Sequence, residues 1–131
     1  MMGVYSRFAL VLLTGVLIGV SGGRLIHAQQ AKTAPGYVIA EIEVTDPATL
    51  QKYGEKAPQI LASFNGHYVV RGGKTVALEG EAPKGYVVVI GFESLDKARA
   101  WYDSPDYAAI RPFRQSSTKS RIFLAEGVAP Q

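Results

Sequence analysis

Seven consecutive residues, Tyr86-Val-Val-Val-Ile-Gly-Phe92, are apolar at nearly every position, and no other feature limits the fold of this chain as much. Successive residues of a strand point to opposite sides, so a run that is apolar at both parities needs cover on both faces. Helices of the same chain can supply one cover. A chain of 131 residues with an apolar share of 47% holds one small core, so the second cover has to come from elsewhere, and a second copy of the chain is the simplest source. The sequence contains no cysteine, which removes disulfides and thiolate chemistry. Stability must then come from packing, and in a domain of roughly 100 residues that makes subunit association favourable.

The N-terminal residues read differently. Arg7 precedes an apolar run from Phe8 to Val20, followed by Ser21, Gly22, Gly23 and a small residue at Ala28. This is the layout of a secretory signal peptide over residues 1–28, and the run ends before the roughly 20 apolar residues that a spanning helix needs. Cleavage after Ala28 is the expectation, and an uncleaved anchor is the alternative. Either way residues 29–36 form a polar linker, the domain occupies residues 37–128, and the protein is exported, periplasmic or secreted. Loss of Arg7 and Arg24 from the 14 basic residues leaves 12 against 11 acidic ones, so the formal net charge falls from +3 to +1. No basic run with interleaved aromatics remains, which excludes nucleic acid as the expected partner. A membrane association would run only through the N-terminal segment.

Within the domain, Tyr37 to Val44 alternates as a strand. Asp46-Pro47 has the form of an N-cap followed by proline at the first helical position, and Leu50, Tyr53, Ala57, Ile60, Leu61 and Phe64 recur at helical spacing. Gly54 and Pro58 predict a kink or two consecutive helices. Asn65-Gly66 ends the helix. His67–Arg71 and Lys74–Glu79 read as two short strands joined by a tight turn at Gly72-Gly73. After the strand Tyr86–Phe92, Ser94 caps a helix whose inner stripe is Leu95, Ala98, Trp101 and Tyr102. Ser104-Pro105 opens a short third helix that Pro112 limits, and Arg121 to Glu126 is the last strand. The order is βαββαβ with a hairpin extension, which predicts a ferredoxin-like α+β sandwich.

The residues Gly36-Tyr37-Val38, Asp46-Pro47, Tyr53, Ala57-Pro58, Val70-Arg71-Gly72-Gly73, Leu78-Glu79-Gly80, Ala100-Trp101-Tyr102-Asp103-Ser104-Pro105-Asp106-Tyr107, Arg114 and Glu126-Gly127-Val128 resemble domain-of-unknown-function family 1330. The resemblance runs from about Gly36 to Val128. It implies the dimeric α/β barrel fold, in which two ferredoxin-like subunits face their sheets together, and hence a homodimer. Members of that superfamily include cofactor-independent monooxygenases, haem-degrading proteins and lactone isomerases. Fold alone does not choose among these activities.

Few residues carry a chemical signal. Tyr107, Arg111 and Arg114 fall at i, i+4 and i+7, so an unbroken helix brings them to one face, where a guanidinium can hold an anion bidentately. The competing reading pairs Arg114 with a carboxylate of a neighbouring element. Arg71 beside Gly72-Gly73 can offer a cation to a cleft, or it can make a surface ion pair. Tyr53, Trp101 and Tyr102 can line an aromatic pocket, although their helical spacing also suits a core. His67 is the one histidine left after signal cleavage, a weak candidate for a catalytic base and, without cysteine or a second histidine, a poor metal ligand. Asp103 and Asp106 flank a helix cap, where carboxylates serve the helix terminus. Serine lies in no nucleophile elbow and glycine in no phosphate loop.

These residues lead to one expectation and two alternatives. The expectation is a homodimer that binds a small, partly apolar or anionic molecule through Tyr53, Arg71, Trp101, Tyr102, Tyr107 and Arg114, with no cofactor and no metal. One alternative is an enzyme of the cofactor-independent monooxygenase or isomerase type. The other is an assembly module.

Overall fold

The computed structural model describes residues 32–131, so residues 1–28, expected to be a signal peptide, and the start of the expected linker lie outside the described residues. Seven elements follow in order: β1 (Gly36–Val44), α1 (Pro47–Ser63), β2 (His67–Arg71), β3 (Tyr86–Phe92), α2 (Leu95–Asp103), α3 (Pro105–Ser117) and β4 (Thr118–Glu126). The strands form one antiparallel sheet in the order β2-β3-β1-β4. Each half of the chain is a strand-helix-strand unit whose helical part crosses to a non-adjacent strand. This is the ferredoxin-like α+β sandwich, and within a single chain its sheet is open.

The helix starts follow from local chemistry. The Asp46 carboxylate accepts the Thr49 amide at 3.2 Å and the Thr49 hydroxyl at 2.6 Å, and Pro47 takes the first helical position, where no amide is needed. Ser94 accepts the Lys97 amide at 3.1 Å. Ser104 does two tasks: its hydroxyl donates to the Trp101 carbonyl at 2.8 Å and accepts the Tyr107 amide at 3.2 Å. One buried serine thus closes α2 and opens α3.

Three expectations are corrected. Gly54 and Pro58 do not split α1, which is a single helix over Pro47–Ser63. They stand four residues apart, so the carbonyl that Pro58 would crowd and leave without a donor belongs to Gly54, which has no side chain to add to the clash. Pro112 does not end α3, which runs on to Ser117; its ring is exposed, where the solvent can meet the carbonyl it leaves free. Lys74–Glu79 is not a strand. Gly72, at φ 67°, turns the chain away after its amide has bonded to Val87 O at 2.9 Å, and β2 takes β3 itself as its neighbour. Val76 and Leu78 remain exposed in the long connection.

The helices cover one face of the sheet. Val38, Ala40 and Ile42 of β1 and Val88, Ile90 and Phe92 of β3 pack there against Ala57 and Leu61 of α1, Ala98 and Trp101 of α2, and Tyr107 and Ile110 of α3. Each large apolar side chain fully buried in this way contributes about 1.5–3 kcal/mol. The opposite parity carries Tyr37, Ile39, Val87, Val89, Phe123 and Ala125, all half-buried or exposed, with one Arg121–Glu41 ion pair at 2.9 Å. Both parities of β3 are therefore apolar while only one is covered.

Candidate functional site

A cavity of about 600 Å³ opens between α1 and the sheet, within the size range of small-molecule sites. Buried Ile42, Ala57, Ile90 and Trp101 form its inner wall, and exposed Val44, Pro47, Gln51 and Arg71 form its mouth. Tyr53 of α1, Tyr68 of β2 and Tyr86 of β3 bring three phenols to it. Gly54 and Pro58 also line it.

Arg71 reaches the mouth through an irregularity in β2. The pairing runs His67 with Gly91 and Tyr68 with Ile90, then shifts to Val70 with Val89 and Arg71 with Val88. Val69 is the extra residue of a β-bulge. Strict alternation from Tyr68 would send Arg71 to the uncovered face with His67; the added residue returns it to the helix-covered side, beside Tyr68. Its guanidinium lies 4.3 Å from the centre of the Tyr68 ring. Among the described residues no carboxylate lies within ion-pair distance of Arg71.

The phenols are held neutral. Burial pushes the Tyr53 hydroxyl far above its ordinary value, the adjacent Tyr107 adds to this, and the Arg114 charge opposes it. Burial also raises Tyr68 and Tyr86, with Arg71 acting against the shift in both. Tyr53 Oη meets Tyr107 Oη at 3.1 Å, and Arg114 Nε donates to Tyr107 Oη at 3.4 Å. Tyr107 also packs on Trp101, ring centres 4.1 Å apart. Trp101 is 3% exposed, and its buried indole N–H has no hydrogen-bond partner among the described residues, an uncompensated donor.

The six residues singled out from the sequence do not share one cavity. Tyr53, Arg71 and Trp101 line the first; Tyr102 and Arg114 line a second of about 300 Å³; Tyr107 lines neither and bridges Tyr53 to Arg114. Arg111 stacks over Tyr102, 4.7 Å from its ring centre. His67 pairs with Gly91 and its ring closes on the position a Gly91 side chain would fill, on the face away from the first cavity. Asp103 pairs with Arg99 at 2.9 Å. Sequence reasoning missed Tyr68 and Tyr86, which share the sheet face of Ile90 and Val88. The alternation of β3 puts Tyr86 there; the bulge hid the relation of Tyr68 to Arg71.

A ferredoxin-like sandwich with an apolar, tyrosine-lined cavity under its first helix defines the class of this protein. Residues 35–128 match the family described as "Domain of unknown function (DUF1330)", and the chain belongs to that family. Among solved structures it is similar to a protein of unknown function from Rhodopseudomonas palustris, at 16% identity and a TM-score of 0.61, over 79% of this chain and 89% of that one. It is also similar to a hypothetical protein from Arabidopsis thaliana, at 15% identity and a TM-score of 0.52, over 80% of this chain and 97% of that one. These two likenesses bear on the fold. A cofactor-independent oxygenase from Streptomyces nogalater is more distant, at 18% identity and a TM-score of 0.48, over 76% of this chain and 95% of that one. No curated protein matches the sequence.

Proposed function

We propose that this protein is an exported homodimer that binds a small amphipathic carboxylate, its apolar body in the cavity and its charge at Arg71. The observation that carries the reading is an arginine at the mouth of an apolar cavity with no carboxylate within ion-pair distance among the described residues. A cavity walled by Ile42, Leu50, Ala57, Val88 and Ile90 rewards an aliphatic or aromatic body, and the guanidinium rewards a planar anion. The neutral phenols of Tyr53, Tyr68 and Tyr86 add donors without adding charge. The homodimer is supported by the uncovered parity of β1, β3 and β4, with Ile39, Val87, Val89 and Phe123 at its centre. Export is supported by Arg7 and the apolar run that follows it.

Trp101 is the chain's one tryptophan and lines the cavity, so its fluorescence reports occupancy. Titration with decanoate should give a saturable change, and decanol, with the same chain length and no charge, should bind more weakly. A charge-assisted hydrogen bond is worth about 1.5–3 kcal/mol, roughly a 10- to 100-fold gap in affinity. Equal binding of the two probes, or no saturable signal from decanoate, would overturn the reading.

A further inference from the structure

The second cavity lies at the other end of the Tyr53–Tyr107–Arg114 chain. It is bordered by Tyr102, Arg114, Gln115, Thr118, Ser120 and Ile122. Five of these six side chains can form hydrogen bonds, and none is acidic. Arg114 is 4% exposed, and among the described residues no carboxylate lies within ion-pair distance of it. The only hydrogen bond of its guanidinium among those residues is the one from Nε to Tyr107 Oη. The other guanidinium nitrogens make no hydrogen bond among those residues and are not fully enclosed, so they face the cavity and its solvent with no counter-charge beside them, an arrangement that favours an anionic partner over water alone.

The end of α3 compensates only in part. Arg114 stands in the last helical turn, whose carbonyls attract a cation. However, the carbonyls of Phe113 and Arg114 already accept from hydroxyls: the Ser117 hydroxyl donates to Phe113 O, and Thr118 Oγ1 donates to Arg114 O at 2.8 Å. Fractional charges at a helix end are also weaker than a whole one.

We infer that this cavity holds a small tetrahedral oxyanion, phosphate or sulfate, as the counter-ion of Arg114. The guanidinium is a planar fork of donors suited to such an ion. Thr118 spends its one hydroxyl proton on the Arg114 carbonyl, so the 2.6 Å contact between Thr118 and Ser120 takes its hydrogen from Ser120. That hydrogen is free to turn to an anion instead, and the Gln115 amide supplies a further donor. Gln115 and Ser120 are exposed, which opens the cavity to solvent and gives the ion a way in. The proposal does not depend on the organic-carboxylate reading, because Arg71 and the first cavity take no part in it.

Thermal unfolding of the whole protein in inorganic phosphate, against chloride at matched ionic strength, tests the site. Above its Kd the midpoint should keep rising with the logarithm of phosphate concentration, by roughly 10–20 °C once phosphate exceeds its Kd about 100-fold. Arg114→Met should flatten that response and Arg71→Met should leave it intact. Ser120→Asp sets a carboxylate at the cavity wall; it should raise the midpoint in phosphate-free buffer and abolish the gain from phosphate. The phosphorus-31 resonance of free phosphate should broaden with wild-type protein and not with Ser120→Asp, a readout that survives if Arg114→Met fails to fold. The inference is overturned if phosphate and chloride give the same midpoint, or if Ser120→Asp keeps the full phosphate response.

Discussion

Arg71 lies over the ring of Tyr68, three residues before it in the same strand, because Val69 is inserted as a bulge between them and their ladder partners. The contact holds the cation at the cavity mouth without neutralising it, and a cation over an aromatic face contributes about 0.5–1 kcal/mol at exposed sites. Arg71→Met should reduce decanoate affinity by roughly 10- to 100-fold and leave decanol affinity nearly unchanged. Arg71→Lys should recover part of the loss, because it keeps the charge and not the fork. Titrations followed by Trp101 fluorescence measure both.

Tyr53 makes a prediction about alkaline stability. Its phenol is raised above the ordinary value of 10.0 in the folded chain, first by burial. Above pH 10 the unfolded chain therefore releases a proton that the folded chain keeps, and the folded state binds more protons. Stability from this group is whole below pH 10 and declines as pH rises beyond it. Tyr53→Phe should give a shallower alkaline decline in urea midpoints. Near neutral pH the same variant should lose about 1 kcal/mol with the Tyr107 hydrogen bond.

Phe123 pairs with Ile39 across β4 and β1 on the uncovered sheet face, where it is 43% exposed. A carboxylate placed there should oppose burial by a second sheet. Phe123→Asp should shift the protein from dimer to monomer in sedimentation velocity, with the circular dichroism spectrum retained. A wild type that sediments as a monomer at high concentration would exclude the homodimer.

Ser104 serves two helices from one buried hydroxyl. Ser104→Ala should cost about 0.5–2 kcal/mol. For a domain of this size that is a fall in midpoint of several degrees, roughly 4–8 °C for each kcal/mol. Calorimetry checks it, and an unchanged midpoint would show that α2 and α3 hold their junction without the cap.

Much of the fold was legible in the chain. Caps at Asp46, Ser94 and Ser104 are local hydrogen-bonding chemistry and could be placed by residue type alone. The periodicities of Val38–Ile42 and Leu95–Trp101 agree with the faces that are buried, and the double parity of Tyr86–Phe92 called for cover on both sheet faces, of which the chain's own helices supply one. The prolines misled because a residue's own geometry was read without its surroundings. Pro58 meets the carbonyl of Gly54, four residues earlier, and Pro112 is exposed, so neither ends its helix. Lys74–Glu79 had the composition of a strand, but the chain turns at Gly72 away from the free edge of β2, and Val76 and Leu78 stay exposed.

The site divides along the same line. Residue type and spacing were enough to nominate Tyr53, Arg71, Trp101, Tyr102, Tyr107 and Arg114, since aromatic and cationic side chains announce themselves and α3 carries Tyr107 and Arg114 on one face. Only the tertiary structure decided that these residues serve two cavities joined through Tyr107, and that a one-residue bulge turns Arg71 toward one of them. The reason is physical. Helical spacing is set by hydrogen bonds within a short segment, whereas strand register and the walls of a cavity depend on contacts between residues far apart in the chain.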